Sequence, residues 1–293
     1  MGNLQAVNES ANLARLLEIW ASGLRSRSPH TARSYHHAVR RFLDRLGEKL
    51  IEEDVAEYLD SLGDLAPASR AHHISAVRSF LKFAQGQGAI DRSPVDLLVR
   101  PRVTVTSLQR YLDEGELKQL VAAAKKLSPR HHAVVMLLAG TGIRVGEASG
   151  ASWRDLFRDP DGRLGLRVLG KASKERVVKI RDDVFQALAA LHGADKLDAR
   201  DTRPLLPSSP TRSYSQQGLW KLISEAVVVA GIDKPASPHW LRHTHATLAA
   251  HGGASAFEVR DALGHARLET SQRYVAAARG LEKTTVDSLP AFT

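Results

Sequence analysis

This sequence predicts a mainly α fold with a small antiparallel β-sheet, divided into an N-terminal four-helix domain and a C-terminal α+β domain. Three observations carry that expectation. The chain has 293 residues, more than one hydrophobic core usually organises. Apolar residues recur at helical spacing through most of it. Between Leu164 and Ile180 the period changes to two, the signature of paired strands. Apolar residues make up 43% of the chain, enough to fill real cores and too many for a disordered one.

In the first domain Leu13, Leu16, Leu17, Trp20 and Leu24 lie on one helix face. Ser28 followed by Pro29 reads as an N-cap with proline in the first helical position. The helix it opens covers about 31–46, presents Tyr35, Val39, Phe42, Leu43 and Leu46, and stops at Gly47. A third helix runs from the acidic start Glu52-Glu53-Asp54 to Leu62 and Gly63. Pro67 opens a fourth, carrying Ile74, Val77, Phe80, Leu81 and Phe83 and ending at Gly86. Residues 1–100 are therefore assigned to a helical domain.

The stretch Val99 to Arg110 breaks this pattern. It has no acidic residue and several β-branched ones, and it places a basic interdomain linker at 101–110. A strand or loop inside one larger domain has the same composition. Residues 111–293 make the second domain. Asp113 and Glu116 form a capping-box pair opening its first helix. A second helix covers about 129–139, and a short one about 144–151 follows the corner Gly140-Thr141-Gly142. After the turn Asp159-Pro160-Asp161-Gly162, Leu164, Leu166 and Val168 alternate, then Val177, Val178 and Ile180, giving two or three antiparallel strands. Helices resume at about 182–191, 215–230, 239–251, 256–263 and 268–278.

Composition excludes several function classes. The chain has no Cys, so it carries no disulfide framework, thiolate zinc site or cysteine nucleophile. No run of apolar residues is long enough to span a bilayer, and no signal peptide is visible, so the expected location is cytoplasmic, away from membranes. The net charge of +9 suggests a polyanionic partner. Up to residue 104 there are 14 basic and 12 acidic residues; beyond it there are 27 and 20, so the excess sits in the second domain.

That domain also holds the residues able to do chemistry. Arg144 follows the Gly-x-Gly corner at a helix start, where a guanidinium can meet a phosphate, although taken alone it reads sooner as a solvated surface arginine. Glu147 lies one turn later and can orient a basic neighbour. Lys171 occupies a hairpin tip from which a flexible ammonium can reach a leaving oxygen; Lys174 is its local rival. His239 and Arg242 are three residues apart and share a helix face. His243, four residues after His239, raises a zinc reading, against which stand the absence of Cys and of a carboxylate in metalloprotease spacing. The adjacent pairs His36-His37, His72-His73 and His131-His132 diverge on a helix and are expected at the surface. His265 follows a helix-ending glycine, and Tyr274 lies on the next helix. A phenol with a pKa near 10 is about a thousandth ionised at neutral pH, so a nucleophilic Tyr274 needs cationic neighbours or a base.

Taken in order, these segments resemble the tyrosine recombinase (phage integrase) family, in particular its Xer-like and integrase-like members. TGIRVGEA is similar to the segment bearing the family's first catalytic arginine, here Arg144, with Glu147 at the acidic accessory position. GKASKERVVKI resembles the β-hairpin segment GKGxKxRxVP and supplies Lys171. HWLRHTHAT matches the HxLRH box, with His239 and Arg242, and LGHARLETSQRY matches LGHxxxxTTxxY, with His265 and the nucleophile Tyr274. Ala172 stands where glycine is frequent, and Ser271 where a second threonine is common. More loosely, SPHTARSYHHAVRRFLDRLG resembles the start of the family's core-binding, SAM-like domain.

The resemblance implies a site-specific DNA recombinase. Tyr274 would attack a scissile phosphate, leaving a 3′-phosphotyrosyl bond and a free 5′-hydroxyl. Arg144 and Arg242 would neutralise the phosphate, Lys171 would protonate the leaving oxygen, His265 would hold a phosphate oxygen and His239 would assist proton transfer from the phenol. No cofactor, ATP or metal is implied. The partner is double-stranded DNA clamped between both domains, and the assembly a homotetramer, or a heterotetramer with a paralogue, on two DNA sites. The role is chromosome-dimer resolution or mobile-element integration. Residues 281–292 would dock on a neighbouring protomer or form a disordered tail. A relaxing enzyme of the type IB topoisomerase kind, and a non-catalytic DNA-binding protein on the same fold, are the alternatives.

Overall fold

The structure is a computed structural model. It describes residues 9–26, 29–46, 50–90, 93–99, 101, 110–170, 174–193 and 196–279. The chain divides into two compact units, residues 1–104 and 105–293. Of the expected 101–110 linker only Pro101 and Arg110 are described; the expected Ser28 cap, the Gly47 stop, Lys171 and the tail 281–292 lie outside the described residues.

The first unit consists of α1 (Glu9–Arg25), α2 (Pro29–Leu43), α3 (Glu52–Asp60) and α4 (Pro67–Gly86), then a short 3-10 turn over Pro94–Leu97. The residues spaced for one helix face are the ones buried. Leu13, Leu17, Val39, Phe42, Val55, Ile74, Val77 and Phe80 all have exposures of 1% or less. Trp20 meets Phe80 edge-on at 5.5 Å, and Phe42 meets Tyr58 at 5.1 Å, the tilted geometry aromatic quadrupoles favour. Arg78 closes the unit by donating to the carbonyls of Val95 and Leu98 at 2.7 and 2.8 Å.

Two helices end earlier than their apolar periodicity suggests. The amides of Arg45 and Leu46 bond to Phe42 and Leu43, three residues back, so α2 finishes in a tightened turn. The same happens at Leu62 and Gly63 after α3. Periodicity continues through such turns because their side chains still reach the core. The paired histidines are not idle surface groups, and the rings of His72 and His73 meet edge-on at 6.1 Å instead of diverging. His36 bonds Glu18, His73 meets the Tyr58 hydroxyl at 3.2 Å, and His131 bridges Ser128 and Glu225.

The second unit contains α5 (Glu114–Leu127), α6 (Pro129–Thr141), α7 (Val145–Gly150), β1 (Leu156–Arg158), β2 (Leu164–Leu169), β3 (Glu175–Lys179), α8 (Asp182–His192), β4 (Pro207–Ser209), β5 (Arg212–Ser213), α9 (Gln216–Val229), α10 (Pro238–His251), α11 (Ala256–Leu263) and α12 (Leu268–Arg279). The capping box forms as its residues require: Asp113 Oδ1 accepts from the Glu116 amide, and Glu116 Oε2 accepts from the Asp113 amide, both at 2.8 Å. The helix α6 is apolar on nearly every side because it lies at the centre; α5, α8, α9 and α10 all pack on it. The strands form an antiparallel sheet in the order β1-β2-β3, with Leu166 opposite both Leu156 and Val178. The hairpin β4-β5 was not foreseen; two strands of three and two residues are too short to show a period.

Behind the main core, α10, α11 and α12 share a small cluster of Ala246, Ala250, Val259, Leu263, Tyr274 and Val275. No described helix is long and apolar enough to cross a membrane.

One glycine decides how α6 hands the chain to the site. Gly142 caps α6 in the left-handed region (φ 65°), and a Cβ there would lie 2.6 Å from Leu263 and 2.7 Å from His245. Gly231 is equally left-handed (φ 66°) but has open space around it. Gly231→Ala should therefore cost about 1 kcal/mol, the backbone penalty alone, and Gly142→Ala about 3 kcal/mol, because a packing clash is added. Denaturant unfolding of the two variants checks the difference; equal losses would mean that the α6 corner is not tightly packed.

Candidate active site

The site is assembled around the C-terminus of α11. The last carbonyls of a helix have no intrahelical partner, and the helix dipole makes that end negative. Here the chain turns at Gly264 (φ 62°), and the amides of Gly264 and His265 satisfy the carbonyls of Asp261 and Arg260. The next carbonyls are each taken by a different guanidinium. Arg176 Nε donates to Ala262 O at 3.2 Å, Arg242 Nη2 to Leu263 O at 2.7 Å, and Arg144 Nη2 to Gly264 O at 3.2 Å. Arginines from β3, α10 and the start of α7 thus converge on one helix end.

Glu147 holds two of these arginines in place. Its side chain, 6% exposed, accepts both Nη atoms of Arg176 at 2.8 Å, and also Arg144 Nη1 at 2.8 Å and the Arg144 amide at 2.7 Å. Burial pushes its carboxyl up, but the bonds and charges of Arg176 and Arg144 outweigh that and hold it down at about 2. Arg242 is 7% exposed, and its Nη1 also donates to Gly142 O at 2.7 Å, so it joins the ends of α6 and α11. Burial and then the charge of Arg144 lower its pKa to about 10, which leaves it protonated at neutral pH.

The aromatic side of the site comes from α10, α12 and the corner after α11. Tyr274 is buried, and its hydroxyl bonds to Nδ1 of His243. His265 lies nearly parallel to the phenol at 6.4 Å between centroids, and its Nδ1 meets Ser271 Oγ at 2.9 Å. Ser271 is itself fully buried, so its small hydroxyl at the position of a common threonine serves to orient His265. The ring of His239 lies 4.3 Å from that of His243. Burial, with the nearby positive charges, lowers all these imidazoles: His239 falls below its ordinary value, and His243 and His265 fall to about 4. Burial also raises the Tyr274 phenol, an effect Arg242 partly offsets.

A pocket of about 410 Å³ opens beside this cluster, walled by Arg144, Arg242, His239 and Gln216 and reaching Gly170 at the foot of the β2-β3 hairpin. It is large enough and cationic enough for a phosphodiester. The structure therefore brings together Arg144, Glu147, His239, Arg242, His265 and Tyr274. Sequence reasoning passed over Arg176, although it is the arginine inside the hairpin motif, and considered His243 only as a metal ligand. The described residues contain no group of three or more side chains able to hold a metal ion.

The histidine and glutamate shifts act on stability in the same direction. Between pH about 6.5 and 4 the unfolded imidazoles of His243 and His265 bind protons that the folded ones do not. Stability is then fully present above about 6.5 and falls as pH is lowered towards 4. Glu147, at about 2 against an ordinary 4.5, adds stability above 4.5 that is lost as pH falls through 2. Unfolding midpoints measured across pH 7 to 4 should decline in the wild type and decline less in His265→Asn; an unchanged slope would refute the buried, neutral state of His265.

Residues 110–280 match the phage integrase family, and residues 21–88 match the phage integrase N-terminal SAM-like domain. The chain is 30% identical over 267 residues to tyrosine recombinase XerC of Pelobacter propionicus, with 85% of each chain covered. It is 31% identical over 268 residues to tyrosine recombinase XerD of Bifidobacterium longum, covering 83% of this chain and 85% of that one. The fold is similar to that of a lambda integrase dimer bound to a COC′ core site, with a TM-score of 0.71, 18% identity, and 96% and 79% of the two chains covered. The chain belongs to the phage integrase family: it is a tyrosine-type site-specific recombinase, with a SAM-like domain ahead of its catalytic domain.

Proposed function

We propose that Tyr274 is the nucleophile of DNA strand exchange and that the cluster around the α11 terminus is its phosphate site. The observation that carries this reading is the convergence of Arg144, Arg242 and His239 on one pocket, with Tyr274 and His265 packed directly behind it. The phenol oxygen attacks phosphorus, the bond to the 5′ oxygen breaks, and a 3′-phosphotyrosyl ester remains. Arg144 and Arg242 balance the charge that builds on the non-bridging oxygens, and because other residues already fix them they need little reorganisation. His265 holds a phosphate oxygen through the ring nitrogen not bonded to Ser271. His239, on the pocket wall, assists transfer of the phenolic proton. Lys171 protonates the departing 5′ oxygen, and Glu147 holds Arg144. The ester keeps the free energy of the bond it replaces, so a second strand's 5′-hydroxyl can resolve it without ATP, and the arginines supply the positive charge.

The substrate is double-stranded DNA, and the catalytic assembly is a tetramer on two sites, formed by this chain alone or with a paralogue. Similarity to both XerC and XerD relatives supports a Xer-like role, in chromosome-dimer resolution or mobile-element integration, in the cytoplasm. Incubation with a suicide duplex carrying the bound site tests the chemistry. The wild type should trap DNA covalently, Tyr274→Phe should not, and Arg144→Ala should trap it roughly a hundredfold more slowly. Equal trapping by the Phe variant would refute the nucleophile assignment. Product formation that needs two sites supports the recombinase, whereas relaxation of supercoiled DNA without sites would favour a topoisomerase-like role.

A further inference from the structure

The phenol lies buried beside the pocket. Tyr274 is 5% exposed and forms no part of the wall that Arg144, His239 and Arg242 share. Its hydroxyl is bonded to His243, which lies one turn beyond His239 on α10 and is itself 6% exposed. On one side the ring packs with Ala246, Ala250, Val259, Leu263 and Val275, and on the other it meets His243 and His265. A hydroxyl in such a setting needs its one partner, because a buried polar group without a hydrogen bond is costly. His243 pays a matching penalty: its Nε2 is buried with no hydrogen-bond partner among the described residues. A buried nitrogen without a partner is rare in native folds.

We infer that His243 is a positioning residue for the nucleophile: its bond to the Tyr274 hydroxyl keeps the phenol against α10 and outside the phosphate pocket, and strand cleavage requires that bond to be exchanged for the scissile phosphate. The inference rests on the reading of Tyr274 as the nucleophile. His243 is absent from the pocket wall, so it acts on the fraction of chains ready to attack and leaves the affinity for DNA unchanged.

Acylation of phenols by N-acetylimidazole, in protein free of DNA and mapped to Tyr274 by mass spectrometry, reads the buried position directly. His243→Leu removes the partner, and Tyr274 should label about tenfold faster than in the wild type. His243→Asn, which retains a hydrogen-bonding atom near Nδ1, should label close to the wild-type rate. On a suicide duplex His243→Leu should raise the single-turnover cleavage rate several-fold, with an unchanged DNA concentration for half-saturation. Equal labelling of the wild type and His243→Leu, or an Asn variant as reactive as the Leu variant, overturns the proposal. Should His243→Leu fail to fold, nitrogen-15 NMR of the imidazoles decides instead: Tyr274→Phe must move the Nδ1 resonance of His243, and an unmoved resonance overturns it. Labelling needs no DNA, so it stands apart from the nucleophile test, in which DNA trapping by Tyr274→Phe would remove the reading beneath the proposal.

Discussion

The catalytic unit depends on how the free end of one eight-residue helix is satisfied. The carbonyls of Ala262, Leu263 and Gly264 would otherwise face a partly buried space without partners, and each is met by a guanidinium from elsewhere in the domain. The bonds work in both directions. They complete the backbone of α11, and they gather three positive charges around one helix end. Glu147 supplies the negative charge that makes this crowding tolerable, and Arg176, bonded to it through both Nη atoms, ties the β-hairpin into the same bracket. A lysine at position 176 would keep the charge but lose the planar fork that spans Glu147 and Ala262 together.

The electrostatic character of the pocket follows from that bracket. With His243 and His265 held neutral at ordinary pH, the field felt by an incoming phosphate comes mainly from the arginines. Neutral imidazoles keep both a donor and an acceptor available, and Ser271 occupies one nitrogen of His265 and leaves the other free for a ligand. The positive charge is therefore permanent, whereas proton handling is left to groups that can change state. Such a division suits a reaction in which charge must be stabilised at the phosphate while protons move at the attacking and leaving oxygens.

The N-terminal unit uses the same kinds of side chain to close its own helices. Three of its arginines are tied to its own backbone: Arg78 reaches the turn after α4, Arg41 the carbonyl of Ser61, and Arg70 those of Leu62 and Gly63. These bonds close helix ends, as Arg242 does in the catalytic unit. Burial pushes Tyr58 up to about 12, and its hydroxyl serves a backbone carbonyl and His73, a structural use of the same side-chain type that Tyr274 represents in the other unit.

Much of the molecule was legible in its sequence, because the signals involved are local. Caps such as Asp113 with Glu116 act within one turn, the period change at Leu164 needs only a few residues, and the ordered segments around Arg144, Arg242, His265 and Tyr274 sit on contiguous stretches. Tertiary structure alone decided which groups meet. Arg242 reaches Gly142 across 100 residues of sequence, Arg176 reaches Ala262 across 86, and Arg144 reaches Gly264 across 120. No periodicity encodes such contacts; they depend on how α10, α11 and the hairpin cross. For that reason Arg176 drew no notice in the sequence and His243 only a metal reading, until packing set one against Glu147 and the other against the Tyr274 hydroxyl.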